Sequence, residues 1–191
     1  MVKIPTIVQN GNPVLRELAQ SVAPKDITSP KIQKIIADMK LALDSQKDGV
    51  AIAAPQIGIP MRIFLVSGLI LKKVHEEKYP DGEDMVYINP VITKLSKKKT
   101  ELEEGCLSVR WLYGKIKRSS QATIEAYDEK GEFFTRGASG LLAQIFQHET
   151  DHLDGVLFID KAYDVEEISP DDLEKDQYEH PTLPTKSHAR K

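Results

Sequence analysis

The chain has 191 residues, 40% of them hydrophobic and 29% charged, and this length and composition predict one globular domain with a single buried core. A formal net charge of −3 argues against the cationic surface of a nucleic-acid-binding protein, and no apolar run approaches the roughly 18 residues of a membrane-spanning helix. The N-terminal residues lack the pattern of a secretory signal, and the single cysteine, Cys106, excludes an intramolecular disulfide. We therefore expect a cytoplasmic protein that binds neither membrane nor nucleic acid directly.

One amphipathic helix is predicted in the N-terminal part of the chain, after a short helical turn in residues 12–18. Ser29 and Pro30 have the form of an N-cap followed by proline at the first helical position. Gly49, after Asp48, supplies a stop signal. The apolar residues that recur at helical spacing between these ends are Ile32, Ile35, Ile36, Met39 and Leu43.

Two apolar, β-prone stretches, residues 61–66 and 87–92, predict strands, and Pro90 favours an edge position or a bulge in the second. The charged residues 72–84 between them contain a Pro-Asp-Gly turn signal and predict a solvent-exposed loop. The lysine-rich residues 94–99 predict the solvated end of a hairpin rather than a site for an anionic partner.

The second half of the chain predicts a hairpin, a second helix and a tail. Residues 122–126 alternate between apolar and polar, and a turn at residues 128–131 leads to another β-prone stretch. Apolar positions at helical spacing predict a helix over residues 139–153, with Gly155 as its C-terminal cap. The acidic, proline-containing residues 164–191 predict a tail, much of it without fixed structure, after a domain that ends at residue 163.

The second helix carries a His-Glu-x-x-His motif, formed by His148, Glu149 and His152. Side chains four residues apart project from the same face of a helix, so the two imidazoles can converge on one cation with Glu149 beside it. The alternative is a helix whose histidines and glutamate face solvent or a satisfied core. The apolar stripe and the capped end of this helix favour the metal site.

A catalytic zinc-type site has three protein ligands and one open position, so a third ligand must come from elsewhere in the chain. Cys106 is one candidate, since a thiolate is readily deprotonated beside a cation, and Gly105 allows a close backbone approach. The Leu107 amide could then donate to an oxyanion. Glu167 with Asp171 is the other candidate, but a proline between them interrupts the helix that this spacing requires, and we favour Cys106.

Three sequence blocks stand in an order typical of one enzyme family. They are Gly-Val-Ala-Ile-Ala-Ala-Pro-Gln at residues 49–56, Glu-Gly-Cys-Leu-Ser at residues 104–108, and Gln-His-Glu-Thr-Asp-His-Leu-Asp-Gly at residues 147–155. In these blocks, and in Gly-Asn-Pro-Val-Leu-Arg at residues 11–16, the sequence resembles the peptide deformylases. The resemblance spans residues 7–160.

The resemblance implies an α+β fold in which antiparallel sheets surround the helix with the histidine motif. It implies one divalent metal ion held by Cys106, His148 and His152, and Arg118 as the partner of the Glu104 carboxylate. Members of the family typically use Fe(II) in the cell. Zn(II), Ni(II) and Co(II) are alternatives, because the preferences of these ions for thiolate and imidazole overlap.

The resemblance also implies the reaction, which is removal of the N-terminal formyl group from formyl-methionyl nascent polypeptides with release of formate. The metal would activate a water molecule for attack on the formyl carbon, with Glu149 as the acid/base. The Gln56 side-chain amide and the Leu107 backbone N–H would stabilise the oxyanion. The residues implied to bind substrate are Gly49, Val50, Ala51, Gly105, Leu141 and Ile145.

Several residues depart from the family pattern. Ala51 replaces a second glycine, and we expect its methyl group to narrow the formyl or backbone subsite. Arg110 and Trp111 stand where Pro-Gly is common, and we expect Trp111 to add a wall to the peptide groove. Gln144 is polar among positions that match the methionine pocket, and the sequence leaves open whether it points to solvent.

Two other functions are compatible with parts of the pattern. A metalloprotease would need a third ligand downstream of His152 and would leave Cys106 without a role. A non-catalytic protein that binds metal or formyl peptide would keep the ligands, but the intact Glu149 and Gln56 argue against it. The tail has only a thin basic cluster at its end, so we do not predict association with the ribosome.

Overall fold

The chain forms eight strands and three α-helices within residues 3–74, 77 and 81–169, the part of the protein that this computed structural model describes. The helices are α1 (Pro30–Asp44), α2 (Gly68–Val74) and α3 (Gly140–Leu153). The strands are β1 (Ala51–Ala53), β2 (Ile63–Val66), β3 (Met85–Leu95), β4 (Lys99–Gly105), β5 (Leu112–Ser119), β6 (Gln121–Tyr127), β7 (Phe133–Ser139) and β8 (Tyr163–Glu167). The predicted α+β class is confirmed. No helix in the described ranges is long and apolar enough to cross a membrane.

The strands form two antiparallel sheets. The larger sheet has the order β1-β2-β3-β6-β7, and the smaller has the order β4-β5-β8. All neighbouring strands in both sheets pair antiparallel. β1 therefore lies at an edge of the larger sheet, with β2 as its one paired neighbour.

In the larger sheet, β2 is buried on both faces. Successive side chains of a strand point to opposite faces, so Ile63 and Leu65 pack on one side and Phe64 and Val66 on the other. The first pair lies in the core cluster that contains the apolar face of α1. The second pair lies in the cluster that contains the apolar face of α3, including Phe146. The sheet thus separates the two long helices.

α1 begins where the sequence predicts and ends earlier. The Ser29 hydroxyl accepts a hydrogen bond from Ile32 N (3.4 Å), which makes it the predicted N-cap. The last residue of α1 is Asp44 rather than Asp48, because the continuous buried face of the helix ends at Leu43 and the next two residues, Asp44 and Ser45, are exposed. The Ser45 hydroxyl donates to Ala42 O (2.7 Å) and helps to close the last turn.

The two predicted strands in the N-terminal half are present as β2 and β3. β3 is a central strand, paired with both β2 and β6, so an edge position for Pro90 is wrong and the bulge is right. The pairing register shifts between Ile88 and Val91, which is where a residue without an N–H can be accommodated. Asn89 adopts φ +52° in this bulge, and its side chain pairs with Val22 N (2.8 Å) and Val22 O (2.7 Å).

The predicted loop over residues 72–84 is only partly a loop. Its first residues end α2, and residues 75, 76 and 78–80 lie outside the described residues. At its far end, Asp84 Oδ1 accepts from Gly68 N at the start of α2 (2.8 Å). The lysine-rich stretch is exposed, as predicted, but a hairpin end is wrong, because β3 and β4 belong to different sheets and do not pair with each other.

The predicted hairpin is formed by β6 and β7, and the predicted second helix is α3. Gly155 adopts φ +73° just after it, and a Cβ atom there would lie 2.6 Å from Arg16 O, so both the turn and the packing require glycine. The domain end predicted at residue 163 falls at the first residue of β8, in which Tyr163, Glu166 and Glu167 pair with β5. Residues 170–191 of the predicted tail lie outside the described residues.

α3 is also joined to the smaller sheet by a buried polar contact. Gln147 Oε1 accepts from Ser119 N (3.0 Å), and Gln147 Nε2 donates to Ser119 O (2.9 Å). Both residues are less than a tenth exposed. This contact fixes α3 to β5, the strand that pairs with β4.

Candidate metal centre

Two elements bring the three predicted ligands together. His148 and His152 lie one turn apart on α3, and Cys106 directly follows β4. Their ligand atoms all lie within 4.8 Å of one another, and Cys106 Sγ is 3.2 Å from His152 Nε2. A thiolate and two imidazoles at this spacing are a ligand set for a borderline-soft divalent cation, with room for a further, non-protein ligand.

A buried carboxylate sets the orientation of His148. Its Nδ1 lies 2.9 Å from Glu104 Oε2, and Glu104 is 5% exposed. The Nδ1–H donates to the carboxylate, so the lone pair of Nε2 is available for a cation. The ring of Phe158 stacks against the same imidazole, with centroids 6.3 Å apart. The imidazole is therefore held by a hydrogen bond and by packing.

Glu104 is itself fixed by the predicted partner, Arg118. Arg118 Nε and Nη2 donate to the two carboxylate oxygens at 2.8 and 2.9 Å. Its third nitrogen, Nη1, donates to Asp151 Oδ2 (2.6 Å), and Lys161 donates to the other oxygen of Asp151 (2.7 Å). The result is a continuous chain of charged groups behind the ligand His148.

Asp151 was missed as a functional residue in the sequence, and the orientation of Gln144 was left open. Gln144 Nε2 donates to Glu103 O (3.0 Å) and to Glu104 Oε1 (3.3 Å), so this side chain faces β4 rather than solvent. A signal was available, because residues 144, 148 and 151 follow the i, i+4, i+7 spacing of one helix face. A polar residue one turn on either side of a ligand is a candidate to hold that ligand's carboxylate partner.

The pKa shifts of Cys106 and His148 are those expected of residues that bind a cation. Burial raises the pKa of the Cys106 thiol, but His152 and His148 outweigh it and bring that pKa down to about 5. Burial lowers the pKa of His148, but hydrogen bonds with Cys106 and Glu104 raise it well above its usual value. A thiolate beside an imidazolium is what this ligand set becomes when a proton takes the place of the metal. The residues therefore fit a divalent ion, which would displace that proton.

Glu149 is a buried carboxyl group beside the ligands and is 4% exposed. Burial raises its pKa to about 7, although His148 and His152 act in the opposite direction. Its Oε2 atom has no hydrogen-bond partner among the described residues. A carboxyl group in this state can exchange a proton near neutral pH, and a cation nearby would favour its charged form.

Gln56 and Leu107, the two predicted oxyanion donors, lie next to Cys106. Gln56 is 2% exposed and belongs to the 3₁₀ turn after β1. Its Oε1 accepts from Ala53 N (2.8 Å), which directs Nε2 toward Cys106 Sγ (3.5 Å) and the buried Ser108 hydroxyl (3.3 Å). Leu107 N–H donates to no protein acceptor in the described part of the chain. Two neutral donors thus lie near the thiolate.

The predicted substrate-binding residues form two groups. Val50, Ala51, Leu141 and Ile145 share one apolar cluster on the α3 side of the larger sheet. Ala51 is 8% exposed and its methyl group points into that cluster. The two glycines stand apart from the cluster, one before β1 and the other at the end of β4.

Both of these glycines are closely packed. A Cβ atom on Gly49 would lie 2.7 Å from Leu43 Cδ1, and one on Gly105 would lie 2.5 Å from Tyr113 Cε1. A larger residue at either position would have to displace a neighbouring side chain, and neither glycine has a positive φ.

The alternative third ligand does not join the cluster. Glu167 is exposed in β8 and pairs with Leu112, and Asp171 lies outside the described residues. Within the described ranges the group of metal-type ligands around the two histidines contains Cys106. The geometry thus favours the cysteine over a downstream carboxylate.

Comparison with known proteins agrees with this cluster. The family model described as polypeptide deformylase matches residues 4–167. The chain is 40% identical over 167 residues to peptide deformylase 1A, chloroplastic/mitochondrial, of Arabidopsis thaliana, covering 84% of this chain and 62% of that relative. This chain therefore spans less than two thirds of that relative's length.

Solved structures show the same similarity. The peptide deformylase of Thermotoga maritima has a TM-score of 0.73 and 31% identity, covering 85% of this chain and 99% of that one. The Met-Ala-Ser-bound class I type b peptide deformylase of Acinetobacter baumannii has a TM-score of 0.73 and 28% identity, covering 84% and 99%. Since the family match includes β1, the cysteine loop and all of α3, the chain belongs to the polypeptide deformylase family.

Proposed function

We propose that this chain is a metal-dependent hydrolase that removes the formyl group from the N-terminal formyl-methionine of nascent polypeptides. One observation carries the proposal: Cys106, His148 and His152 converge next to the buried carboxyl group of Glu149. The arrangement has three protein ligands, an adjacent acid/base and neutral hydrogen-bond donors, which together suit hydrolysis of an amide.

The metal would be held by Cys106 Sγ and by one nitrogen of each histidine. A divalent cation there supplies Lewis acidity and lowers the pKa of a coordinated water. Fe(II) is our first choice, on family resemblance, with Zn(II), Ni(II) and Co(II) as alternatives that tolerate the same ligands. The Glu104 carboxylate keeps the His148 ring in the orientation and tautomer that ligation needs.

Glu149 is the group we assign to proton transfer. Its buried position and raised pKa allow the carboxylate to accept a proton from the attacking water and to pass it to the departing amine. The unpaired Oε2 atom leaves one oxygen free for this exchange. Proton transfer by such a positioned group contributes about 10²–10⁴-fold to rate.

Gln56 and Leu107 are the donors that we assign to the developing oxyanion. The Gln56 amide is held from behind by Ala53 N–H, so its NH₂ group does not need to reorient during the reaction. A preorganised donor of this kind is worth about 3 kcal/mol in the transition state. Ser108, buried and hydrogen-bonded to the same amide, would help to hold it.

The peptide would bind along the outer edge of β1. An extended chain can add to an edge strand through backbone hydrogen bonds, and β1 has one paired neighbour. The apolar cluster that contains Val50, Ala51, Leu141 and Ile145 lies next to this edge and suits an unbranched thioether side chain. We assign the methionine side chain to it. A cytoplasmic location, as expected from the sequence, completes the proposal.

A non-catalytic binding protein is the second candidate, because Ala51 departs from the family at the cleft. The test is formate release from formyl-Met-Ala-Ser by anaerobically purified protein, beside Glu149→Gln and the acetylated peptide. We expect release by the wild type alone and from the formyl peptide alone, with metal content equal in both proteins. Metal-loaded wild type that binds the peptide and releases no formate would instead establish the binding protein.

A further inference from the structure

Arg110, four residues after Cys106, joins two segments that are distant in sequence. Its Nη1 donates to Asp48 Oδ2 (2.5 Å), and its Nη2 donates to Asp48 Oδ1 (3.2 Å) and to Gln46 Oε1 (2.8 Å). The guanidinium also lies over the Trp111 ring, 5.0 Å from its centroid. The Arg110 side chain is 19% exposed. Two acceptor residues and one aromatic ring thus hold the Arg110 guanidinium.

The two joined segments are the two sides of the proposed peptide cleft. Gln46 and Asp48 lead directly into Gly49 and the edge strand β1. Arg110 belongs to the loop that follows β4 and carries Cys106. We call the contacts of Arg110 with Asp48 and Gln46 the cleft tie.

Each side of the cleft is firmly packed apart from the tie. On the β1 side, Gly49 has no room for a Cβ atom against Leu43. On the cysteine side, the Tyr113 ring fills the space above Gly105. Gln9 connects this loop to the N-terminal segment, since its Nε2 donates to Leu107 O (3.0 Å) and its Oε1 accepts from Arg110 N (3.4 Å). The distance between the residue 46–49 segment and the cysteine loop then depends on the contacts of Arg110 that span them.

We propose that Arg110 is a positioning residue for peptide binding, which sets the width of the cleft by bridging Asp48 and Gln46 to the cysteine loop. The inference rests on the proposed function, because it assigns a role to a side chain beside that site. Arg110 acts through the position of the two segments and touches none of the metal ligands, nor Glu149 or Gln56.

This role predicts an effect on KM rather than on kcat. Loss of the tie lets the two sides separate, so the peptide must restore their spacing when it binds. The ion pair between Arg110 and Asp48 is partly exposed, with 52% of the Asp48 side chain accessible. Its contribution to the free energy of peptide binding should therefore be that of a good surface ion pair. We expect KM for formyl-Met-Ala-Ser to rise about fivefold. We expect kcat to stay within about twofold.

The experiment compares Arg110→Ala, Asp48→Asn, the double variant and the charge exchange Asp48→Arg with Arg110→Asp. Lys40→Ala is the matched control, because Lys40 makes a comparable long-range ion pair with Glu129 (2.9 Å) away from the cleft. Initial rates give kcat and KM, and elemental analysis gives metal content. Calorimetric titration of the metal-loaded proteins with Met-Ala-Ser gives peptide affinity without turnover.

We expect both single variants and the double variant to show the same rise in KM and the same loss of Met-Ala-Ser affinity, with the charge exchange recovering part of each. The Lys40 control should match the wild type. A fall in kcat or in metal content with KM unchanged, or the same effect in the control, would overturn the proposal. If the wild type releases no formate, the proposed function fails, and the Met-Ala-Ser affinities still decide whether the tie positions the cleft.

Discussion

Replacing Glu104 with glutamine tests whether the carboxylate behind His148 holds the metal centre together. The carboxylate receives two hydrogen bonds from Arg118, one from His148 and one from Gln144, and both ends of its ion pair with Arg118 are about 5% exposed or less. Glutamine has the same shape and no charge. In either orientation its NH₂ group must face two of these four donors, and Arg118 keeps only Asp151 as a charged partner.

The expected cost follows from the burial of this network. Breaking a buried ion pair by removing one partner costs about 3–5 kcal/mol, because a buried charge is left without compensation. Asp151 remains on Arg118 and glutamine can still accept one hydrogen bond, so we expect the lower part of that range, about 3 kcal/mol. A lost carboxylate partner of a ligating histidine also lowers metal affinity, by about 10–100-fold.

Two measurements check this prediction. Urea unfolding of the metal-free protein gives the free energy of unfolding, and competition with a chromogenic chelator gives the affinity for Zn(II). Glu103→Gln is the control, since Glu103 is the preceding residue of β4 and is exposed. If Glu104→Gln unfolds within about 0.5 kcal/mol of that control and binds zinc equally well, the reasoning about the network is refuted.

Three further predictions concern other parts of the molecule. Gly105→Ala should destabilise the protein by about 1–3 kcal/mol in urea unfolding, because the new methyl group overlaps the Tyr113 ring, and adding Tyr113→Ser should recover most of this loss; equal stability of the single and double variants would contradict it. The hydrogen bond from Arg16 outweighs burial and lowers the pKa of Asp160, so its contribution to stability is present above about pH 4 and is lost as the pH falls. Asp160→Asn should therefore lower Tm at pH 7, with the difference from wild type closing below pH 4 on a calorimetric scan; a constant difference would argue against this. Removing bound metal with a chelator should lower Tm and reloading should restore it, because the ion adds about 2.7 kcal/mol to the free energy of unfolding at a free metal concentration 100 times Kd; an unchanged Tm after verified removal would exclude a structural contribution of the ion.

The parts of the site that could be predicted from sequence are those with local spacing. His148 and His152 are one helical turn apart, so the helix alone brings them together once its apolar periodicity is recognised. The N-cap at Ser29 and the glycine cap at Gly155 are local in the same sense, and both are confirmed. The approach of Cys106 to the histidines has no local signature, because no local rule relates residues more than forty positions apart. It was predicted from the chemistry of a thiolate ligand, and the resemblance implied the same residue.

The parts that could not be predicted depend on long-range pairing or on burial. α1 ends at Asp44 because of what its last turn packs against, and the stop signal at Gly49 does not show this. The central position of β3 follows from its pairing with β6, and Pro90 is tolerated there because a bulge takes the place of a hydrogen-bonded pair. The contact of Arg110 with Asp48 joins residues 62 positions apart, and neither has a local pattern that indicates the other.

The amide of Gln147 has a consequence for how stiff the metal centre can be. Its oxygen and nitrogen pair with both backbone groups of Ser119, so the side chain imitates one residue of an adjacent strand. A helix packed only through apolar side chains can slide or roll slightly at little cost. A slide of one residue, about 1.5 Å, would here leave two buried backbone groups unpaired, at about 1–3 kcal/mol each. The two hydrogen bonds therefore fix the position of α3 along β5. Because His148 is the next residue of the helix, they also fix the position of this ligand.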